Sequence, residues 1–203
     1  MKILIFGGFL GAGKTSVILQ MAHHMVHMNP EALSQIVILE NEIGQTGIDD
    51  KTVGGMGLRV ETLFSGCVCC TMAGEMVANI VYIQKNMNPE WIILETTGMA
   101  YPSNVKETLT EAFPDMDIRL MCLVDAKRWP RIQKVPELRG FSGDQLRGAD
   151  AVLVNKCDLV TEEEKAAVDE SVRAYNPEPP IFHIAANKEI PAETWEQIFP
   201  GGM

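Results

Sequence analysis

Residues 8–15, Gly-Phe-Leu-Gly-Ala-Gly-Lys-Thr, have the types and spacing of a complete phosphate-binding loop. Glycines in such a loop let successive backbone N–H groups point at phosphates, while the lysine reaches the outer phosphates and the threonine hydroxyl can bind Mg²⁺. The helix that follows directs its positive end at the same anion. The loop predicts that a nucleoside triphosphate is bound by Gly8, Gly11, Ala12, Gly13, Lys14, Thr15 and Ser16.

A second group, Cys67, Cys69 and Cys70, places three thiols on one short segment. Three thiolates supply most of a tetrahedral site, for which Zn²⁺ is the commonest ion, ahead of Co²⁺, Ni²⁺ or Cu⁺. No fourth ligand lies nearby, so Glu40 or Glu42 are candidates, and the incomplete set favours an exchangeable site. The alternatives are cysteines that pack a loop, or a redox pair, although adjacent Cys69 and Cys70 would form a strained disulfide.

Two further segments each follow an apolar run, and both suit a nucleotide. Asp158, in the segment 155–158, can accept hydrogen bonds from the N1–H and the exocyclic amine of guanine. Asn155 is expected to bind the edge of the base and the stem of Lys156 to cover the face of the base. Ala186 is expected to close over the base. In the segment 95–98, Glu95 is expected to face Mg²⁺ or its waters. Gly98 is expected to bring its N–H to the terminal phosphate and sense it. The alternatives are an ordinary polar turn and a buried carboxylate beside a turn.

The predicted catalytic groups are therefore Lys14, Thr15 and Glu95, with Thr15 and Glu95 at the Mg²⁺. Three histidines stay open to two interpretations. His23 and His27 share a helix face and can bind a metal, but a solvated helix end, favoured by the helix dipole, explains them and His24 equally well.

These motifs lie between alternating strands and helices. Strands are predicted at 3–6, 36–39, 59–63, 91–94, 120–124, 151–154 and 181–184, and helices at 14–28, 73–86, 193–198 and after Thr161, whose capping box Glu164 completes. This alternation predicts an α/β phosphate-loop NTPase fold, a three-layer sandwich whose mainly parallel sheet has helices on both faces. Ligands of such sheets bind beyond the carboxyl ends of the strands, where every motif above falls.

Length and composition narrow the class of protein further. The 203 residues suit one domain, 1–203, and 46% are hydrophobic, which is enough for a core. A net charge of −10 argues against a nucleic-acid partner. No apolar run approaches the ~20 residues of a membrane span, and the apolar N-terminus lacks a cleavage site, so a cytoplasmic protein is expected. The chain has five cysteines, three of them clustered, and this pattern favours metal binding or catalysis over disulfide bonds.

In order and content, these motifs resemble those of the CobW family of phosphate-loop GTPases, relatives of the nickel-insertion GTPases. The matching segments are 7–15, 40–44, 66–70, 95–98, 144–146 and 155–158, of which 66–70 is the most discriminating. The resemblance implies slow GTP hydrolysis, Mg²⁺ dependence, and Zn²⁺ delivery or cobalamin-related cobalt handling, with metal held near Cys67, Cys69, Cys70, Glu40 and Glu42. Two departures are noted: Gln45 stands where an acidic residue is frequent, and the usual C-terminal domain is expected to be absent or supplied in trans.

The sequence thus predicts a GTPase whose nucleotide state is coupled to metal or cofactor delivery toward a client metalloprotein or corrinoid protein. A nucleotide-dependent homodimer that brings the cysteine segments together is a further expectation. The alternative is a nucleotide-switched interaction module for such a maturation system, with negligible hydrolysis of its own. An ATPase of related architecture is the third possibility.

Overall fold

The computed structural model describes residues 1–40, 59–62 and 72–199. Its strands are β1 (Lys2–Gly8), β2 (Ile36–Glu40), β3 (Arg59–Thr62), β4 (Trp91–Glu95), β5 (Asp117–Asp125), β6 (Ala151–Asn155) and β7 (Ile181–His183). Its α-helices are α1 (Lys14–Met28), α2 (Met72–Asn86), α3 (Pro102–Ala112), α4 (Trp129–Ile132), α5 (Pro136–Gln145), α6 (Glu162–Arg173) and α7 (Ala192–Ile198). Short 3₁₀ turns occupy Pro30–Ser34 and Cys157–Leu159.

The seven strands form one sheet in the order β3-β2-β4-β1-β5-β6-β7, and every neighbouring pair is parallel. The prediction of a mainly parallel sheet is confirmed. Glu95 pairs in register with Phe6 on one side and with Glu40 on the other, while Asp125 pairs with Asn155. The polar residues that end these strands therefore meet at one edge of the sheet.

Two apolar layers cover the sheet, one on each face. Along β1, Leu4 and Phe6 join the layer that includes buried residues of α1 and α7, while Ile3 and Ile5 join the layer that includes residues of α2, α3 and α6. This alternation follows from the two-residue period of a strand whose faces are both buried. The predicted three-layer arrangement is confirmed.

The boundaries differ from the predictions in a few places. β5 begins at Asp117, three residues before the predicted start at position 120, and β7 ends at His183, one residue short. The capping box of Thr161 and Glu164 forms as predicted. Three helices, α3, α4 and α5, were not predicted. Each has a proline in its first turn, and a proline is typical both of a helix start and of a loop. No helix in the described part of the chain has the length and apolar character needed to cross a membrane.

Candidate functional site: a nucleotide pocket at the strand ends

The loop between β1 and α1 has the backbone geometry of a phosphate cradle. Gly8, Gly11 and Gly13 all have positive φ, with Gly13 at 97° where α1 begins. A side chain at Gly13 is excluded for a second reason, because a Cβ there would lie 2.4 Å from Asn155 Nδ2. Lys14 is only 6% exposed and its Nζ donates to the Gly8 carbonyl at 3.2 Å. The Lys14 side chain is thus folded back over the phosphate loop.

The environment of Lys14 favours an anionic ligand. Burial lowers the pKa of its ammonium group, and the nearby Glu95 carboxylate partly opposes that shift. A phosphate beside Lys14 would therefore offset the cost of keeping the charge buried.

Thr15 and Glu95 meet across the edge of the sheet. The Thr15 hydroxyl lies 3.0 and 2.9 Å from the two carboxylate oxygens of Glu95. The pair brings a hydroxyl and a carboxylate together at the end of the phosphate loop, and oxygen donors of this kind suit Mg²⁺. The residues that the sequence assigned to Mg²⁺ are therefore neighbours in the structure and chemically fit that ion.

The turn after β4 packs directly on the phosphate loop. A Cβ at Gly98 would lie 2.6 Å from the backbone N and Cα of Leu10, so only glycine permits this approach. Gln145, at the end of α5, is 1% exposed and its Nε2 donates to the carbonyls of Gly98 and Ala100 at 3.1 and 2.9 Å. The turn predicted to sense the terminal phosphate therefore contacts the predicted phosphate loop, and the buried amide of Gln145 holds the turn there.

Asn155 has hydrogen-bonding partners within the protein that the sequence did not predict. Its Nδ2 donates to the Ala12 carbonyl at 2.9 Å, and its Oδ1 accepts from the Ala186 and Lys156 N–H groups at 2.9 and 2.8 Å. The side chain is 2% exposed. Asn155 thus joins the phosphate loop to the loop after β7, on which Ala186 lies.

Lys156 and Asp158 lie on the outer side of this junction. Lys156 takes a left-handed backbone conformation, and its Nζ donates to the Gly11 carbonyl at 2.8 Å and to Asp125 Oδ2 at 2.7 Å. Its stem therefore runs along the rim of the phosphate loop. Asp158 Oδ2 accepts from Asn187 Nδ2 at 2.9 Å, and both side chains are exposed, so the carboxylate is oriented while its edge remains accessible.

Asp125 and Arg128 support the phosphate loop, although the sequence did not suggest either. Asp125, 5% exposed, accepts at Oδ1 from the N–H groups of Lys127 and Arg128, both at 3.0 Å. The Arg128 guanidinium donates to the Leu10 carbonyl at 2.9 Å. A signal for Asp125 existed, since it is a polar residue directly after a predicted strand, whereas nothing near Arg128 distinguishes it from a surface cation.

The predicted transition-metal ligands fall largely outside this description. Cys67, Cys69, Cys70 and Glu42 lie outside the described residues, and of Glu40 only the backbone is described, at the end of β2. Within residues 1–40, 59–62 and 72–199, no group of three or more His, Cys, Asp or Glu side chains is arranged to hold a metal ion.

The histidines and the remaining cysteines have local surroundings of their own. His24 stacks on Trp195 of α7, while His23 and His27 are exposed on α1. Burial raises the pKa of the Cys122 thiol to about 12 and also raises that of Cys157. Burial therefore disfavours the thiolate form of both cysteines.

Comparison with known protein families shows which family this chain belongs to. Residues 2–183 match the model of the CobW/HypB/UreG nucleotide-binding domain. The chain belongs to the CobW/HypB/UreG family. The resemblance predicted from the motifs is thereby confirmed, and the phosphate loop and the 155–158 segment both lie inside the matched region.

Several curated proteins share this family domain with the chain. The zinc chaperone YeiR of Escherichia coli is 31% identical over 167 residues, covering 79% of this chain and 48% of YeiR. The zinc chaperone CobW of a Sinorhizobium species is 30% identical over 221 residues, covering 93% of this chain and 60% of that protein. The chain spans about half the length of the curated relatives it matches.

Solved structures support the fold of the CobW/HypB/UreG domain. The hydrogenase maturation factor HypB of Archaeoglobus fulgidus superposes with a TM-score of 0.67 at 16% identity, covering 99% of this chain and 89% of that one. Zn(II)-bound YjiA GTPase from E. coli gives 0.65 at 20% identity, covering 96% and 60%. At these identities the likeness establishes the α/β fold and nothing about ligands.

Proposed function

We propose that this chain is a GTP-binding and GTP-hydrolysing domain that binds Zn²⁺, or Co²⁺, at Cys67, Cys69 and Cys70 and couples nucleotide state to metal or cofactor delivery. The observation that carries the nucleotide part is the contact of Asn155 Nδ2 with the Ala12 carbonyl at 2.9 Å. It joins the phosphate loop to the 155–158 segment, so phosphates and base have adjacent places in one pocket.

Guanine is the base that the exposed edge of Asp158 suits. A carboxylate can accept from the guanine N1–H and exocyclic amine together, whereas adenine offers neither group in that arrangement. Asn187, which donates to Asp158 Oδ2, fixes the orientation of this acceptor before any base arrives. Lys156, whose stem follows the loop rim, can cover one face of the ring.

Hydrolysis is assigned to the residues that face the terminal phosphate. Lys14 supplies positive charge to the outer phosphates, and the N–H groups at the start of α1 supply further donors. Thr15 and Glu95 would hold Mg²⁺, which when bound neutralises charge on the phosphate oxygens. The Gly98 N–H, on a turn that touches Leu10, can report whether the terminal phosphate is present.

The link to metal rests on the order of the strands. Glu40 ends β2 between Thr62 of β3 and Glu95 of β4, and neighbouring strands lie about 4.8 Å apart. Thr62 is five residues before Cys67, a distance of at most ~17 Å along an extended chain. The segment proposed from the sequence to bind metal therefore follows, by five residues, the strand β3, which pairs with β2, and β2 pairs in turn with β4, which ends at Glu95. The names of the zinc chaperone relatives YeiR and CobW agree with a metal cargo.

Turnover measurements test the proposal as a whole. We expect slow release of phosphate from GTP that changes when Zn²⁺ or Co²⁺ is added. A triple Cys67→Ser, Cys69→Ser, Cys70→Ser variant is expected to keep GTP binding and lose the response to metal. Tight GTP binding with near-zero turnover that ignores both metals would contradict the coupled enzyme.

A base-exchange experiment tests the guanine assignment separately. Xanthine carries a carbonyl where guanine carries its amine, so Asp158→Asn should favour xanthosine triphosphate, because the amide donates where the carboxylate accepted. We expect GTP affinity to fall at least tenfold and xanthosine triphosphate affinity to rise. Retained preference for GTP in the variant would refute the contact, and equal binding of ATP and GTP by the wild type would indicate the ATPase alternative.

A second function is favoured by apolar side chains around the phosphate loop. Leu10, Met99 and Tyr101 are 65%, 62% and 45% exposed. Tyr101 also packs edge-on against Phe141. This surface suits a nucleotide-switched interaction module that contacts a client metalloprotein, a corrinoid protein or a second copy of the chain, with negligible hydrolysis alone. Sedimentation in GTP and in GDP tests the homodimer, and a monomer in both states would exclude it.

A further inference from the structure

One side chain of α1, the helix that follows the phosphate loop, contacts the loop that follows β7. Gln20, in the second turn of α1, donates through Nε2 to the carbonyls of Ala186 and Lys188, both at 2.7 Å. Its Oε1 accepts from the Ile190 N–H at 2.8 Å. A single amide therefore makes three hydrogen bonds to three backbone groups of one loop, 166 to 170 residues away in sequence.

The same loop carries the groups that complete the base side of the pocket. Ala186 donates its N–H to Asn155, and Asn187 donates to Asp158. Ile190, at the far end of the loop, is 4% exposed and packs in the core with α1. The loop is thus held by contacts at both ends. Between them, the exposed side chain of Asn187 orients the Asp158 carboxylate, which is proposed to bind the base.

We infer that Gln20 is a positioning residue for base recognition: it holds the 186–190 loop so that Asn187 orients Asp158. This inference rests on the proposed guanine contact of Asp158 for its functional consequence. The hydrogen bonds themselves are independent of that proposal.

The chemistry of the contact requires an amide. Two carbonyls need two N–H donors and the Ile190 N–H needs an acceptor, and a primary amide is the neutral side chain that offers all three. Glutamate has the same shape, yet it places an oxygen against two carbonyl oxygens. Methionine has a similar volume and offers neither donors nor a strong acceptor. Gln20→Met therefore removes all three hydrogen bonds while keeping the bulk of the side chain. Gln20→Glu removes the two bonds to the carbonyls and keeps an acceptor for the Ile190 N–H.

A matched control exists elsewhere in the molecule. Gln133, directly after α4, donates to Ser142 Oγ of α5 at 3.0 Å and accepts from the hydroxyl of Tyr175, two residues after α6, at 2.8 Å. Gln133→Met loses a comparable set of hydrogen bonds without touching the 186–190 loop. It measures what general loss of stability does to the same readouts.

The first readout needs no nucleotide. Hydrogen exchange of the nucleotide-free protein should show at least tenfold faster exchange at the Ala186 amide in both Gln20 variants and at the Ile190 amide in Gln20→Met. The rest of α1 and the Gln133→Met control should show no such local change. Unchanged protection of the two amides would overturn the inference, whether or not the protein binds GTP.

The second readout is discrimination between GDP and IDP, because inosine lacks the exocyclic amine that Asp158 is proposed to contact. We expect GDP affinity to fall about tenfold in the Gln20 variants and the preference for GDP over IDP to shrink with it. Faster exchange with an unchanged GDP-to-IDP ratio would overturn the role in base recognition. A wild-type protein with no preference for GDP would overturn the proposed guanine contact and leave the exchange result to decide the positioning role.

Discussion

Two loops at the same edge of the sheet each accept hydrogen bonds from the side chain of one glutamine, but the number of hydrogen bonds differs between the two loops. Gln145 donates to the Gly98 and Ala100 carbonyls on the phosphate side at 3.1 and 2.9 Å. Gln20 donates to two carbonyls of the 186–190 loop on the base side at 2.7 Å, and it also accepts from that loop. On the base side, the Ala186 N–H also donates a hydrogen bond to Asn155 Oδ1.

The two loops also differ in what they present to solvent. On the base side, Ala186 and Ile190 are buried, and the exposed side chains, Asn187, Lys188 and Glu189, are all polar. On the phosphate side, Gly98 and Ala100 are buried, and the exposed side chains, Met99 and Tyr101, are mainly apolar. The hydrogen bonds that Gln20 and Asn155 make to the base side are all contacts within the protein. We expect the terminal phosphate, or a partner, to change the conformation of the turn at Gly98 more than that of any other part of the described pocket.

The largest effect is expected from Asn155→Ala, which removes the junction between the two sides. The change leaves the Ala12 carbonyl and the Ala186 N–H without their buried partner. We expect the protein to lose about 2–4 kcal/mol of unfolding free energy and GDP affinity to fall about 100-fold or more, measured by urea unfolding and nucleotide titration. Asn176→Ala is the control, because Asn176 Nδ2 donates to the Leu146 carbonyl at 2.7 Å, away from the pocket. Equal losses of GDP affinity in both variants would show that Asn155 acts only through stability.

The sharpest contrast comes from Gln145→Met set beside Gln20→Met. Releasing the Gly98 turn should lower GTP turnover about tenfold and reduce the difference between GTP and GDP affinity, while GDP affinity changes little. The Gln20 variant should do the reverse, weakening both nucleotides alike. If the two variants gave the same pattern in single-turnover and titration experiments, the two sides of the pocket would not be separable.

A smaller effect is expected from Asp125→Asn, which discharges the buried partner of Lys156. Asparagine keeps an acceptor for the Lys127 and Arg128 N–H groups, but it removes the ion pair between Asp125 and Lys156. The Asp125 side chain in that pair is 4% exposed. GDP affinity should fall about threefold to tenfold, since such pairs contribute more than exposed ones. Asp117→Asn, which breaks the exposed pair with Arg119, should leave GDP affinity unchanged, and a similar loss there would contradict the argument.

The smallest effect concerns Cys122 of β5, the strand that lies between β1 and β6. Burial raises the pKa of its thiol to about 12 from 9.0, so the unfolded chain releases this proton at lower pH than the folded one. The stability contributed by Cys122 is therefore complete below pH 9 and is lost as pH rises toward 12. Between pH 8 and pH 10, we expect wild type to lose about 1 kcal/mol more than Cys122→Ala in urea unfolding. Parallel loss in both proteins would contradict a buried, protonated thiol.

The parts of this site that the sequence predicts are those encoded locally. The phosphate loop, the apolar strands and the Thr161 capping box each depend on residues a few positions apart, and all appear in the structure. The contacts of Asn155 with Ala12 and of Gln20 with Ala186 join residues 143 and 166 positions apart. They follow from the strand order, which brings β6 and β7 beside the phosphate loop, and no local pattern contains that order.

The helices that sequence reasoning missed show the same limit. Helix α4 spans only four residues, and α5 contains two glycines and little apolar periodicity. Tertiary packing stabilises such short helices more than intrinsic propensity does. Gln145 could therefore be matched to a family motif at 144–146, but its role in holding the Gly98 turn required the fold.

A metal titration of the GTP-bound and GDP-bound forms tests the central claim most directly. If nucleotide state and metal are coupled, the affinity for Zn²⁺ must differ between the two forms, and by reciprocity Zn²⁺ must change the relative affinity for GTP and GDP by the same factor. We expect a difference of about tenfold or more, which the triple replacement of Cys67, Cys69 and Cys70 abolishes. Equal Zn²⁺ affinity in the two nucleotide states would contradict the coupling.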